Sequence, residues 1–155
     1  MDWVTLNSPF AVIHNGHTVQ VNVQDNAAGA QGFVTFKGVK YNFLHFHFHG
    51  GSEHHVDGMQ TPLEMHAVHQ AQAGQGHDGK LLVIAFMLEE NSNNREKDSF
   101  YMLVNRVPLQ KTTVPALIHH TFEFTKMIEV SRIYGFWEYV GSLTTPPCSG
   151  GVQVY

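Results

Sequence analysis

The chain has one cysteine, Cys148, in 155 residues. That excludes an intramolecular disulfide and any metal site built from several thiolates. Two readings of the lone thiol stay open: an idle thiol in a reducing compartment, or one half of a bridge whose partner is absent. Charge is scarce too, at 14% of residues against roughly 25% in ordinary soluble domains. Nine Lys and Arg stand against 13 Asp and Glu, and the formal charge of -4 with a pI near 6.3 argues against the basic face that nucleic acids require. No run of about 18 apolar residues occurs, which excludes a transmembrane helix. Met1 to Thr5 carries neither the basic nor the apolar stretch of a signal peptide. Repeats, low-complexity tracts and domain boundaries are all missing. What is present is a 43% hydrophobic composition, too apolar for a disordered chain, and 12 histidines, nearly as many as all the acids.

Hydrophobic periodicity reads mostly as strands. Val19 to Val23 alternates apolar and polar residues, as a half-buried strand does. Gly-rich punctuation from Ala28 to Gly32 precedes Phe33 to Phe36, and Lys37-Gly38 turns the chain again. Tyr41 to His49 alternates as well, with aromatic and histidine residues as the two sets. Gly50-Gly51 and Asp57-Gly58 mark turns before Leu63 to His69. Leu81 to Leu88 is nearly continuous in apolar residues, as expected of a central strand covered on both faces. A short helix is expected near Asp98 to Asn105, confined by Pro108 and Pro115, and a strand over Phe136 to Tyr139 ahead of a turn from Gly141 to Pro147. The fold class is therefore mainly β (α+β). One domain over residues 1–155 should hold a central, largely antiparallel twisted sheet with a few short peripheral helices.

Five histidines lie between positions 45 and 55. On a strand, His45, His47 and His49 share one face while Phe46 and Phe48 share the other. The next strand supplies Glu64, His66 and Val68 on one face and Met65, Ala67 and His69 on the opposite one. A hairpin through Gly50 to Pro62 brings His66 beside His47 and His49. Three imidazoles leave one tetrahedral position of Zn²⁺ open, the pattern of a catalytic site; a structural site takes four protein ligands. A lone His-x-His is more often an ordinary surface or core pair. Adding His66 and a same-face Glu64 turns the reading toward metal.

The strings His45-Phe46-His47-Phe48-His49, Ser52-Glu53-His54, Leu63-Glu64-Met65-His66-Ala67-Val68-His69 and Gly141-Ser142-Leu143-Thr144-Thr145-Pro146-Pro147, with Asn15-Gly16-His17 ahead of them, resemble the α-class carbonic anhydrases. Pro62-Leu63-Glu64-Met65-His66 and the cysteine after the double proline are similar to the bacterial members. The matches are in order and run from about Val12 to Val152. The resemblance implies a zinc-dependent lyase that reversibly hydrates CO₂ to bicarbonate and a proton. In that family the role of zinc is to bring the pKa of water to about 7.

The resemblance also implies roles. His47, His49 and His66 would hold the metal, and Thr144 would pass a hydrogen bond from the reacting hydroxide to Glu53. Glu64 would accept the second ring N–H of His66, a reading that the shared strand face of positions 64 and 66 reaches independently. His45 stands where the family usually has a glutamine beside the first ligand, as a second-shell partner or a competitor for metal. Val68, Val83 and Leu143, with Thr145 beside them, would line the CO₂ pocket, and His17 would relay the proton to buffer.

The resemblance covers the middle of the family domain. The aromatic N-terminal segment is absent upstream of Val4, the final strands beyond Tyr155 are missing, and Val154 replaces a pocket tryptophan. In bacterial relatives a cysteine at the Cys148 position bridges to an N-terminal cysteine, so the half-bridge reading of Cys148 gains weight. Open sheet edges imply a homodimer or other self-association. The bacterial relatives imply a periplasmic or secreted setting, although this chain carries no export signal. The alternative function on the same scaffold is a non-catalytic or weakly active zinc-binding module.

Overall fold

A computed structural model of the chain describes residues 2–3, 6–23, 32–90, 103, 106–122, 124, 125, 127, 129 and 135–155. Among the described residues ten strands join in one sheet: β1 (Asp2–Trp3), β2 (Leu6–His14), β3 (Val19–Val23), β4 (Phe33–Phe36), β5 (Val39–Gly50), β6 (Leu63–Ala71), β7 (Leu81–Leu88), β8 (Ala116–Phe122), β9 (Tyr139–Ser142) and β10 (Gly150–Val154). The spatial order is β8-β2-β3-β5-β6-β7-β10-β9, with β4 also on β5 and β1 on β4. Every pairing is antiparallel except β10 beside β7, which is parallel. Helical backbone is described at Leu103 and at Phe124, Thr125, Met127 and Glu129. The helix expected near Asp98 to Asn105 otherwise lies outside the described residues, as does most of the Ala28 to Gly32 stretch.

Local chemistry sets the strand ends. At the β4–β5 turn, Lys37 and Gly38 both take positive φ, 49° and 80°. That is the backbone a two-residue hairpin needs to match the twist of its strands. The β5–β6 connection folds into a smaller hairpin of its own. Asp57 and Gly58 turn with positive φ, and Val56 and Met59 exchange both backbone hydrogen bonds at 3.0 Å. Ser52 Oγ donates to the His54 carbonyl at 2.7 Å and accepts from Thr61 N–H at 2.9 Å. These bonds fix Glu53 and His54 over the ends of β5 and β6.

A bulge decides which face the histidines occupy. The β5–β6 register shifts between Phe43, opposite His69, and His45, opposite Val68, so Leu44 is the extra residue. Strict alternation would place Tyr41 and Phe43 on the face of His45, His47 and His49. The inserted residue reverses the phase, so Tyr41 and Phe43 join Phe46 and Phe48 on the opposite side. There they form an aromatic core with Phe10, Phe122 and Phe124. Phe46 is fully buried, its ring 5.1 Å from that of Phe122 and 5.5 Å from that of Phe124.

Two strand expectations need correction. Strand pairing begins at Tyr139, opposite Val154, rather than at Phe136, and Gly141 and Ser142 belong to β9 rather than to the turn. Val154 is the last residue of β10 in that ladder, so Phe136 instead stacks its ring on Tyr155 at 4.4 Å. In β7 only Leu82, Val83 and Ile84 are buried, and Ala85 to Leu88 are half-buried. Cover on both faces thus fades along the strand after Ile84.

His69 lies on the aromatic side, fully buried and edge-on to Phe43. Burial pushes its pKa down to about 3. The unfolded chain binds this proton near the ordinary histidine value and the folded protein does not. The His69 contribution is thus fully present above about pH 7 and is lost as acid is added, by about 1.4 kcal/mol per pH unit toward the folded pKa. Urea unfolding between about pH 7.5 and pH 5 should show a shallower loss of stability in His69→Gln than in the wild type. Parallel pH profiles would remove this assignment.

Candidate metal centre

The β5–β6 register sets His47 directly opposite His66 and His49 opposite Glu64. Ring centroids lie 5.0 Å apart for His47 and His49, 5.3 Å for His47 and His66, and 4.6 Å for His49 and His66. One nitrogen from each ring falls within 4.8 Å of the other two, so the three could hold one ion. His49 Nε2 is buried and has no hydrogen-bond partner. A buried polar atom left without a partner among the described residues costs free energy, which a bound ion could offset. Neutral imidazoles are the donors Zn²⁺ takes.

Burial keeps the His45, His47 and His49 rings neutral. Burial, then repulsion from His66, His45 and His49, pushes the His47 pKa down to about 3. Burial and His66 also lower His49, against the opposing pull of Glu53 and Glu64. Burial alone brings His45 to about 4. An unprotonated imidazole keeps the lone pair that a metal needs.

Glu64 is fully buried, and burial works to raise its pKa. Three hydrogen bonds overcome that effect and hold the carboxyl at about 2: His66 Nε2 at 2.5 Å, the His54 backbone N–H at 2.9 Å and His54 Nδ1 at 2.6 Å. With Nε2 of His66 committed to Glu64, Nδ1 is the nitrogen left to face His47 and His49. The expected contact between Glu64 and His66 is therefore present.

Other expected residues fall around this cluster in different ways. Glu53 sits with a carboxylate oxygen 3.3 Å from His49 Nδ1 and another 4.0 Å from His66 Nδ1. No hydrogen bond joins it to Thr144, which is exposed in the turn after β9. Thr145 is exposed beside it, its carbonyl accepting from Cys148 N–H at 2.9 Å. Cys148 is exposed and unpaired. His45 touches His47 ring to ring at 5.3 Å without a hydrogen bond, and its nitrogens lie outside the converging set. His17 is exposed in the β2–β3 turn, where the Asn15 side-chain oxygen accepts from the backbone N–H groups of His17 and Thr18 at 2.9 Å. That turn is anchored beside the ligand strand, because Thr18 Oγ1 bonds the Phe48 carbonyl. Val68, Val83 and Leu143 gather with Val152, Val154 and Leu81 in one apolar cluster, and Val68 shares the strand face of His66.

The sequence reading passed over some residues that the fold brings to this face. Gln20 pairs with His47 and Asn22 with His45, and their side chains hydrogen-bond each other at 2.8 Å. The alternation of β3 marks them as its polar set, but only the β3–β5 register points them at the histidines. His54 bridges Glu64 and the Tyr139 hydroxyl, which lies 2.6 Å from His54 Nε2. No periodicity signals that link, since it depends on a folded loop meeting a strand far along the chain.

Residues 2–154 match the sequence pattern described as eukaryotic-type carbonic anhydrase. The chain is 30% identical over 152 residues to a carbonic anhydrase of Klebsiella pneumoniae, covering 98% of this chain and 56% of that protein. A carbonic anhydrase of Pectobacterium atrosepticum is 33% identical over 146 residues, covering 92% and 52%. Among solved structures, the α-carbonic anhydrase of Photobacterium profundum superposes with a TM-score of 0.74 at 28% identity, covering 99% of this chain and 64% of that one. That of Thermovibrio ammonificans, solved with the inhibitor sulfanilamide, gives 0.70 at 30% identity, covering 96% and 58%. The chain spans about half the length of the curated relatives it matches.

Proposed function

Because the chain belongs to the eukaryotic-type carbonic anhydrase family, we propose that it holds one Zn²⁺ through His47, His49 and His66 and reversibly hydrates CO₂ to bicarbonate and a proton. The observation that carries this reading is the convergence of one ring nitrogen from each of His47, His49 and His66 within 4.8 Å of one another. Bound zinc supplies a Lewis acid that makes water acidic enough to provide hydroxide near neutral pH.

The protein's own residues do the rest. His47 and His49, their pKa values lowered first by burial, arrive neutral, so no proton has to leave them before they bind. Glu64 holds the His66 ring by Nε2 and thereby aims Nδ1. The Val68, Val83 and Leu143 wall offers a linear, nonpolar molecule a place that water gains little from filling. Glu53 brings a carboxylate to the edge of the histidine cluster, and Thr144, in the turn after β9, would supply the hydroxyl that orients the attacking oxygen. His17, in an exposed turn anchored to the ligand strand, carries the released proton to buffer.

Metal analysis of purified protein combined with stopped-flow CO₂ hydration tests the proposal. One zinc per chain and hydration that disappears on chelation and returns with zinc are expected. Full zinc occupancy with hydration at the uncatalysed rate would reject the reaction, and failure to retain zinc would reject the site. Glu64→Gln is expected to weaken zinc binding by about 10- to 100-fold, since partners of a metal-bound histidine commonly contribute that much. Competition with a chromophoric chelator measures it, and unchanged affinity would remove Glu64 from the site.

A further inference from the structure

We infer that Lys111 recruits the acceptor of the released proton: its ammonium, held over the Asn15-Gly16-His17 turn, draws an oxyanion base such as hydrogen phosphate to His17. This inference rests on the proposed reaction with His17 as its relay, and it adds the chemical class of the partner that takes the proton away.

The turn is a well-braced platform. Asn15 N–H donates to the Thr18 carbonyl at 3.1 Å, the Asn15 side-chain oxygen accepts from His17 and Thr18, and Gly16 N–H donates to His14 Nδ1 at 3.1 Å. Thr112 N–H reaches across to the His14 carbonyl at 3.0 Å, which lays the Lys111 segment against this turn. Gly16 has a φ of 100°, and the Lys111 side chain crosses its open face. A Cβ at Gly16 would meet Lys111 Cδ at 3.1 Å and Nζ at 3.5 Å. Successive Cα atoms lie about 3.8 Å apart, so the ammonium falls within about 9 Å of His17 Cα. That is inside the screening distance of roughly 10 Å in ordinary buffer.

The charge on Lys111 is open to a visiting anion. Among the described residues Lys37 pairs with Glu138 and Lys40 lies over the Phe33 ring, but no carboxylate pairs with Lys111. Lys111 and His17 are both exposed, so one anion can reach both from solvent. In a chain of net charge -4 the overall field repels anions, and a local cation is what brings one to this turn. The step itself is a simple proton transfer. An N–H bond of the protonated His17 ring breaks and its proton goes to a hydrogen phosphate oxygen, leaving neutral His17 and dihydrogen phosphate. Lys111 exchanges no proton in this step and supplies attraction alone.

The test follows CO₂ hydration by the zinc-loaded protein at fixed ionic strength, with rate measured against the concentration of phosphate or of a neutral methylated imidazole. The ratio of the phosphate to the imidazole rate constant should fall about threefold in Lys111→Ala and about tenfold in Lys111→Glu, since the second substitution changes the charge by twice as much. Lys111→Arg should hold the wild-type ratio, and added salt should narrow the gap between wild type and Lys111→Ala. A ratio that does not move in Lys111→Ala, or a fall in Lys111→Arg as large as in Lys111→Ala, would overturn the inference. In the zinc-free protein, phosphate should shift the His17 ring signals in nitrogen–proton NMR, with an apparent Kd about threefold higher in Lys111→Ala. If wild type hydrates no CO₂ yet shows this difference, the proposed reaction falls and the anion site beside His17 stands. No phosphate-dependent shift, or an equal Kd in the two proteins, removes that site as well.

Discussion

His66→Ala is expected to strip the protein of zinc and reduce CO₂ hydration to the background rate. Zinc sites in small peptides bind with about 10–16 kcal/mol, so losing one nitrogen of three is worth roughly 4 kcal/mol, about a thousandfold in Kd. The substitution also takes one of three hydrogen bonds from Glu64, a fully buried carboxylate. A loss of zinc from this variant alone would therefore mix a missing ligand with a disturbed interior. His47→Ala separates the two, because His47 makes no hydrogen bond to Glu64. Both variants should lose zinc by metal analysis, and His47→Ala should keep its melting temperature in the zinc-free state. Retention of stoichiometric zinc by either one would show that the ion sits elsewhere.

Phe46→Ala is expected to produce the largest loss of stability. The ring is fully buried and meets Phe43, Phe48, Phe122 and Phe124. Removing a buried phenylalanine ring costs about 3–5 kcal/mol, partly as lost transfer energy and partly as the cavity left behind. For a chain of this size that lowers the melting temperature by about 10–15 °C. Because Phe46 lies between His45 and His47 on β5, the loosened strand should also weaken zinc binding. A scanning calorimetry shift of less than about 2 °C would mean that the core repacks freely around the hole.

Much of this fold is legible in the sequence, for identifiable reasons. β3, β4 and β7 carry unbroken apolar patterns bounded by turn residues, and their limits match the expected ones. β2 is less visible because Pro9 interrupts it. Among the described residues the β2–β3 ladder starts at the next residue, Phe10 opposite Val23, so the missing N–H of Pro9 interrupts none of its described pairs. The Leu44 bulge leaves no compositional trace, and without it the aromatic and histidine faces of β5 cannot both be assigned. At the site, the grouping of His47, His49 and His66 follows from two alternating strands and one hairpin. Its surroundings do not. His54 reaches Glu64 through the folding of the Gly51 to Pro62 loop, and Tyr139 reaches His54 from a strand whose place depends on long-range pairing.

The parallel alignment of β10 with β7 has a consequence for the order of assembly. Parallel neighbours cannot be joined by a tight turn, and here the chain lays down β8 at the far edge of the sheet before returning. The three histidines sit within one hairpin and meet as soon as β5 and β6 pair. Leu143 and Thr144 arrive only when that long excursion is closed, at a much greater loss of chain freedom. Chain entropy therefore favours the hairpin that groups the three histidines ahead of the strand that brings in Leu143 and Thr144. Zinc present during folding would bias the chain toward the register in which His47 faces His66, making the ion a template for the hairpin.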